Sequence, residues 1–275
     1  MMMEIEHIRA FARRIRRDVL TMTHRAGVNG GHIGGALSAA DILAVLYGGG
    51  VLRNTPEHVA SLTRDRFILS KGHIALAHYA ALAQAGFFPA EKLEEFEQPG
   101  CAFPTHEVRR EEYGIETSSG SLGYGLSIGV GCALAARMRG QDYHTYVLMG
   151  DGECNEGSVW EASMAAARYR LSNLTAIVDV NGQSLDGRMD DIMPIHDFRL
   201  AFQSCGWNVI MVDGHDITKI YDSLQTRAKD VPTVVLAMTQ KGKGVASIEG
   251  AVGWHHAALS DEQYEKFIRE LEDMP

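Results

Sequence analysis

Five short runs constrain this chain more than any other feature: RFILS (66–70), YVLMG (146–150), LTAIVDV (174–180), WNVIMV (207–212) and TVVLAM (233–238). Most are near-continuously apolar and rich in Val and Ile, as strands are when buried on both faces of a parallel sheet. Segments with helical spacing lie between them, roughly 37–47, 75–85, 91–97, 123–138, 158–170, 197–204 and 216–229. Strand alternating with helix predicts an α/β fold: a doubly wound, mainly parallel sheet with helices on both faces. The chain opens on an amphipathic helix with Ile5, Ile8, Ala12, Ile15 and Val19 on one face. It closes on SDEQYEKFIRELE, whose Ser260 and Gln263 have capping-box spacing. No repeat or Ser/Pro-rich linker divides it, so residues 1–275 read as a single domain.

Composition excludes several partners. A formal net charge of −9 argues against nucleic acid or an anionic membrane, since both need a basic face. No apolar run approaches the roughly 18–20 residues that span a bilayer. The N-terminus lacks the continuous apolar core of a signal peptide, and Glu4, Glu6 and Asp18 disfavour a transit peptide. A cytoplasmic location is expected. The cysteines, Cys101, Cys132, Cys154 and Cys205, form no C-x-x-C pair and read as free thiols. The 12 histidines show no zinc spacing.

In open α/β sheets, ligands bind beyond the carboxyl ends of the strands. There the chain carries GDGECNEG after one strand and DVNGQSLDG after the next. Asp-Gly and Asn-Gly are ordinary turn dipeptides, but two of them at the ends of successive buried strands can meet on one edge. The Asp151 carboxylate, the Asn181 amide oxygen and the Gln183 carbonyl are hard oxygen donors suited to Mg²⁺ or another divalent cation. The helix starting near Ser158 can aim its N-terminus at a bound diphosphate. Elsewhere, VDGHD reads as a turn capped by Asp216. Lys241 and Lys243 in QKGKG read as solvated loop lysines. GYGLSIGVG lacks the third glycine of a dinucleotide fingerprint.

The GDG motif followed 30 positions after Asp151 by Asn181 resembles the thiamine-diphosphate fingerprint. The resemblance extends along nearly the whole chain and narrows to the transketolases. NGGHIGGALSAADILAVLY is similar to their first histidine loop, which puts His32 in the active site. RDRFILSKGHIALAHYAAL is similar to the second, with His73 near the diphosphate. FPTHEV is similar to the third, with His106, although the family usually reads Gly-His-Pro where this chain has Thr-His-Glu. In GIETSSGSLGYG the resemblance puts Gly120, Ser121 and Leu122 beside the cofactor rings. QKGKGVASIEGAVGWHHAAL is similar to the late loop, whose histidine is His255, and His256 stands where the family has glycine. Gly152 and Glu156 fall on the diphosphate side by the same resemblance.

The implied reaction passes a two-carbon ketol unit from a ketose to an aldose, usually as sugar phosphates, on thiamine diphosphate. His32 and His255 are the implied catalytic histidines, because imidazole exchanges protons near neutral pH. Activation of the cofactor uses a glutamate from a pyrimidine-binding domain of another subunit. Nothing in this sequence resembles that domain or the C-terminal domain, so a separately encoded C-terminal subunit is expected, in an α₂β₂ assembly. The chain alone should be inactive. Competing readings are a specialised-sugar transketolase, a deoxyxylulose-phosphate-synthase-like or 2-oxoacid dehydrogenase subunit, and a non-catalytic cofactor-binding module.

Overall fold

The computed structural model describes residues Met2–Met274. Its sheet has five parallel strands: β1 (Arg66–Leu69), β2 (Thr145–Gly150), β3 (Leu174–Val180), β4 (Asn208–Asp213) and β5 (Thr233–Met238), in the order β1-β2-β3-β5-β4. The parallel register pairs Leu69 with Leu148, Gly150 with Asp179 and Val180 with Met238. All carboxyl ends therefore emerge on one edge. The doubly wound α/β reading holds, with each strand within a residue of its expected span.

The helices are α1 (Met2–Arg25), α2 (Ile33–Ser38), α3 (Ala40–Leu43), α4 (Ala75–Gln84), α5 (Tyr124–Met138), α6 (Gly157–Arg168), α7 (Met189–Ile192), α8 (Phe198–Ser204), α9 (Ile217–Gln225) and α10 (Asp261–Glu272). The side chains of a strand alternate between faces, and here the two faces build separate cores. Phe67, Leu69, Leu148, Ile177 and Val235 pack under α1, α4, α9 and α10. Ile68, Val147, Met149, Val178 and Leu236 pack under α5, α6 and α8. Burying each Val, Leu or Ile contributes about 1.5–3 kcal/mol, so near-continuous apolarity is what a sheet covered twice requires.

Some elements differ from the sequence reading. The helix expected over 37–47 starts at Ile33 and runs as α2, α3 and a π-type turn (Ala44–Gly48). The 91–97 segment is a 3-10 turn (Ala90–Glu95). The short α7 carried no periodicity to reveal it. The caps are as expected: Asp216 accepts from the backbone N–H groups of Thr218 and Lys219, and Ser260 and Gln263 close a capping box.

Candidate functional site

The floor of the site is built where β1, β2, β3 and β5 end. Asp151, buried just past β2, accepts a hydrogen bond from its neighbour Gly152 N (2.9 Å) and another from Gly182 N on the β3 loop (2.6 Å). That second bond joins the two glycine-bearing loops. Gly182 sits at φ +74°, a left-handed conformation that glycine adopts without penalty. Beside it Asn181 donates to Asp179 Oδ2 (3.2 Å), and its own oxygen accepts from Gln183 N (3.1 Å). Burial and the nearby Asp179 charge raise the Asp151 carboxyl to about 6. A carboxylate strained this way is one that a bound cation would relieve.

Two residues under this floor carried no signal in the sequence. Lys71 and Asp179 are buried and form an ion pair of 2.5 Å. Asp179 also accepts from Ser38 Oγ (2.6 Å) and from the Thr239 hydroxyl. Besides Asn181, two residues on, its partners come from three distant segments, so no spacing could have revealed the set. Glu153, buried as well, accepts from Gly150 N (3.1 Å), Gly123 N (2.8 Å) and the Ser70 hydroxyl. It ties β1 and β2 to the start of α5. There Gly125 is needed, because a Cβ at that position would lie 2.2 Å from Ser70 Oγ.

Above the floor the histidines gather. The His32 ring lies 5.4 Å from His73, 5.5 Å from His106, 5.3 Å from His255 and 4.6 Å from His256, between ring centroids. The first and last loops are held together by an antiparallel bridge between Gly31 and Ala257 (N···O 2.9 and 3.0 Å). Burial lowers His32 to about 3, with the neighbouring histidines adding to it. It lowers His255 to about 4, helped by Lys241, and His73 well below its ordinary value, helped by Lys71. These three rings are neutral at physiological pH. His32 Nδ1 is buried with no hydrogen-bond partner, as expected of a group whose partner is a bound molecule.

One expectation is corrected. Lys241 is not a solvated loop lysine: it is 3% exposed, donates to Ser184 O (2.9 Å), and lies 3.2 Å from His255 Nδ1. Burial, with Lys71 nearby, lowers it to about 8. The lysine is drawn in because Gly34 lets the two loops approach: a Cβ on Gly34 would lie 3.0 Å from Lys241 Cγ. Lys243 is half-buried and paired with Glu249 (3.4 Å).

His32, His73, His106, Gly120, Leu122, Asp151, Gly152, Asn181 and His255 all line one cavity of about 370 Å³, together with Lys71, Glu153 and Lys241. Three of the residues singled out from the sequence do not line it. Ser121 faces an adjoining cleft with Thr117 and Tyr124. Glu156 is the exposed N-cap of α6. Gln183 turns its side chain to Gly250 O (2.8 Å). Among the described residues no three His, Cys, Asp or Glu side chains converge as a metal cluster. The expected donor set has one carboxylate, an amide and a carbonyl. Buried cations, an under-compensated carboxylate and an orphaned imidazole nitrogen fit a ligand that carries both an anion and a cation.

Known proteins give this geometry a context. The family pattern described as "Transketolase, thiamine diphosphate binding domain" matches residues 9–272. The chain is 39% identical to an apulose-4-phosphate transketolase subunit of Phocaeicola vulgatus, covering 98% of this chain and 96% of that one. It is 38% identical to a 6-deoxy-6-sulfo-D-fructose transketolase subunit of a Clostridium species, covering 94% of each. Human transketolase is 35% identical over 98% of this chain, which spans only 42% of the human protein. Among solved structures, transketolase from Leishmania mexicana superposes with a TM-score of 0.87 at 28% identity, covering 96% of this chain and 41% of that one.

Proposed function

The chain belongs to the transketolase family, and from that membership we propose that it is the diphosphate-binding subunit of a two-chain transketolase. The observation that carries the reading is the Asp151–Gly182 hydrogen bond at the floor of a cavity ringed by neutral histidines. It makes one clamp of two loops that are separate in sequence.

When bound, thiamine diphosphate supplies the carbon nucleophile and electron sink for cleaving a ketose between C2 and C3. This chain's residues would do the rest. Asp151, Asn181 and the Gln183 carbonyl hold Mg²⁺. Gly152 and His73 face the diphosphate. Gly120 and Leu122 flank the rings, with His106 beside them. His32 and His255, kept neutral by burial, take protons from substrate hydroxyls and polarise carbonyls. Lys71 and Lys241 add positive charge that favours an anionic ligand.

Relatives that match this chain nearly end to end are named as subunits, which supports a separately encoded partner. We place the reaction centre at the contact between the two kinds of chain, in a cytoplasmic α₂β₂ assembly. Those relatives are named for apulose 4-phosphate and for a sulfonated fructose, which supports a specialised ketose as donor beside ordinary pentulose phosphates.

The test is a two-carbon transfer assay with thiamine diphosphate, Mg²⁺ and an aldose phosphate acceptor. Donors would be a pentulose phosphate, apulose 4-phosphate and 6-deoxy-6-sulfofructose. Activity in the native complex and none in the chain alone is expected. Turnover by the purified chain alone would refute partner dependence. Silence of the complex with every donor, despite bound cofactor, would refute the transketolase assignment of this site.

A further inference from the structure

Glu107 stands directly after His106 in the Thr-His-Glu stretch, and its side chain goes to a place the proposed reaction does not use. It is buried, as is His78 on α4. His78 Nδ1 lies 2.7 Å from Glu107 Oε2, and His78 Nε2 lies 2.8 Å from the Tyr47 hydroxyl. Burial, reinforced by Glu107, raises Tyr47 well above the ordinary phenol value. The phenol thus keeps its proton, and the two ring nitrogens of His78 join it to Glu107. Rings fix the relay at its centre: His78 packs on Phe67 of β1 at 4.8 Å and near Tyr47 at 5.7 Å.

A carboxylate placed in a core costs several kcal/mol in lost hydration, and apolar residues of similar size are often as stabilising as a buried pair. Stability alone does not call for this arrangement. What it does is fix the backbone beside it. Glu107 O accepts from Ser119 N (3.1 Å), one residue before Gly120. A Cβ on Gly120 would lie 3.2 Å from His106 Cδ2, so the two residues touch. On the other side, the Tyr79 hydroxyl donates to Pro104 O (3.0 Å), and Thr105 N donates to Glu97. The His106 ring itself projects outward, 5.5 Å from His32.

We propose that Tyr47, His78 and Glu107 are positioning residues: a buried strut that runs from the core to the cavity wall and sets the placement of His106 and Gly120. The inference rests on that cavity holding the cofactor, and it accounts for Glu107 at the position where the family has proline. A proline stiffens a backbone by fixing φ; the strut stiffens this one by anchoring its side chain.

Two measurements on the purified chain test it. Amide hydrogen exchange, without cofactor, would compare wild type with Tyr47→Phe and Glu107→Gln. Faster exchange at Ser119 and over 105–122, by about tenfold, with β2 and β3 protection unchanged, is expected. Unchanged exchange at Ser119 in both variants would overturn the strut. Thiamine diphosphate titration in the presence of Mg²⁺ would then compare Glu107→Gln in the wild-type and His106→Ala backgrounds. A loss of affinity of about tenfold in the first and a clearly smaller one in the second is expected, because the strut acts through His106 as well as Gly120. Equal losses in both would reduce Glu107 to a core residue. Should His106→Ala itself bind cofactor like wild type, the cofactor assignment of His106 fails, while the exchange result still decides the strut.

Discussion

Replacing Lys71 by methionine would leave the Asp179 carboxylate inside the sheet with its charge and without its cation. The pair is 2.5 Å apart, with side chains 2% and 0% exposed. At an effective dielectric near 20, that distance is worth about 7 kcal/mol of gross attraction. Dehydrating the two ions costs several kcal/mol each, so the pair as a whole contributes little net stability. Removing one partner is different, and costs about 3–5 kcal/mol because the other stays buried and charged. Hydrogen bonds from Ser38, Thr239 and Asn181 soften the loss, so the low end of that range is expected. Urea unfolding of Lys71→Met, Asp179→Asn and the double variant measures it. The single lysine variant should lose about 3 kcal/mol, and the double variant should recover most of that. The acid limb gives a second readout. Burial pushes the Asp179 carboxyl up, but Lys71 and the hydroxyl donors outweigh it and hold the group below its ordinary 3.8. Its contribution is therefore present above about pH 4 and lost as pH falls through the lower folded value, and Lys71→Met should remove it. Equal destabilisation in Lys71→Met and the double variant, with coupling under about 0.5 kcal/mol, would refute this account of the site's floor.

Asp151→Ala and Asn181→Ala should each abolish Mg²⁺-dependent binding of thiamine diphosphate and leave the circular dichroism spectrum unchanged; cofactor titration with and without Mg²⁺ checks this. His32 at about 3 and His255 at about 4 lie below the ordinary 6.5. The unfolded chain therefore takes up protons first, and stability is full above about pH 6.5 and falls towards pH 4. Melting temperatures from pH 4 to 8 should show that decline, and His32→Gln should make it shallower. Ser260→Ala removes the side-chain cap of α10 and should cost about 1 kcal/mol in denaturant unfolding.

The layered fold was legible because it depends on local composition: a strand buried twice must be apolar on both sides, and Ile177 and Val178 meet opposite cores within one run. The glycine and histidine loops were legible because each carries its signal within a few residues. Lys71, Asp179 and Lys241 were not. Asp179 sits inside LTAIVDV, where it reads as the polar end of a strand, and its partners lie 108, 141 and 60 positions away. Lys241 lies among glycines and reads as loop, and only the approach of Gly34 to the late loop shows why it is buried. Glu107 was visible as a departure from a pattern, while its partner His78 looked like one more residue of an apolar helix.

The bridge between Gly31 and Ala257 also sets a schedule. During synthesis His32 emerges long before its neighbour His255, with about 220 residues made in between. At about 5–20 residues per second that interval is roughly 10–45 s. Through nearly all of it, the first histidine loop has no late loop to pair with and Gly34 has no Lys241 to pack against. The sheet can form from β1 to β3 in that time, but the cavity that the two loops close together cannot.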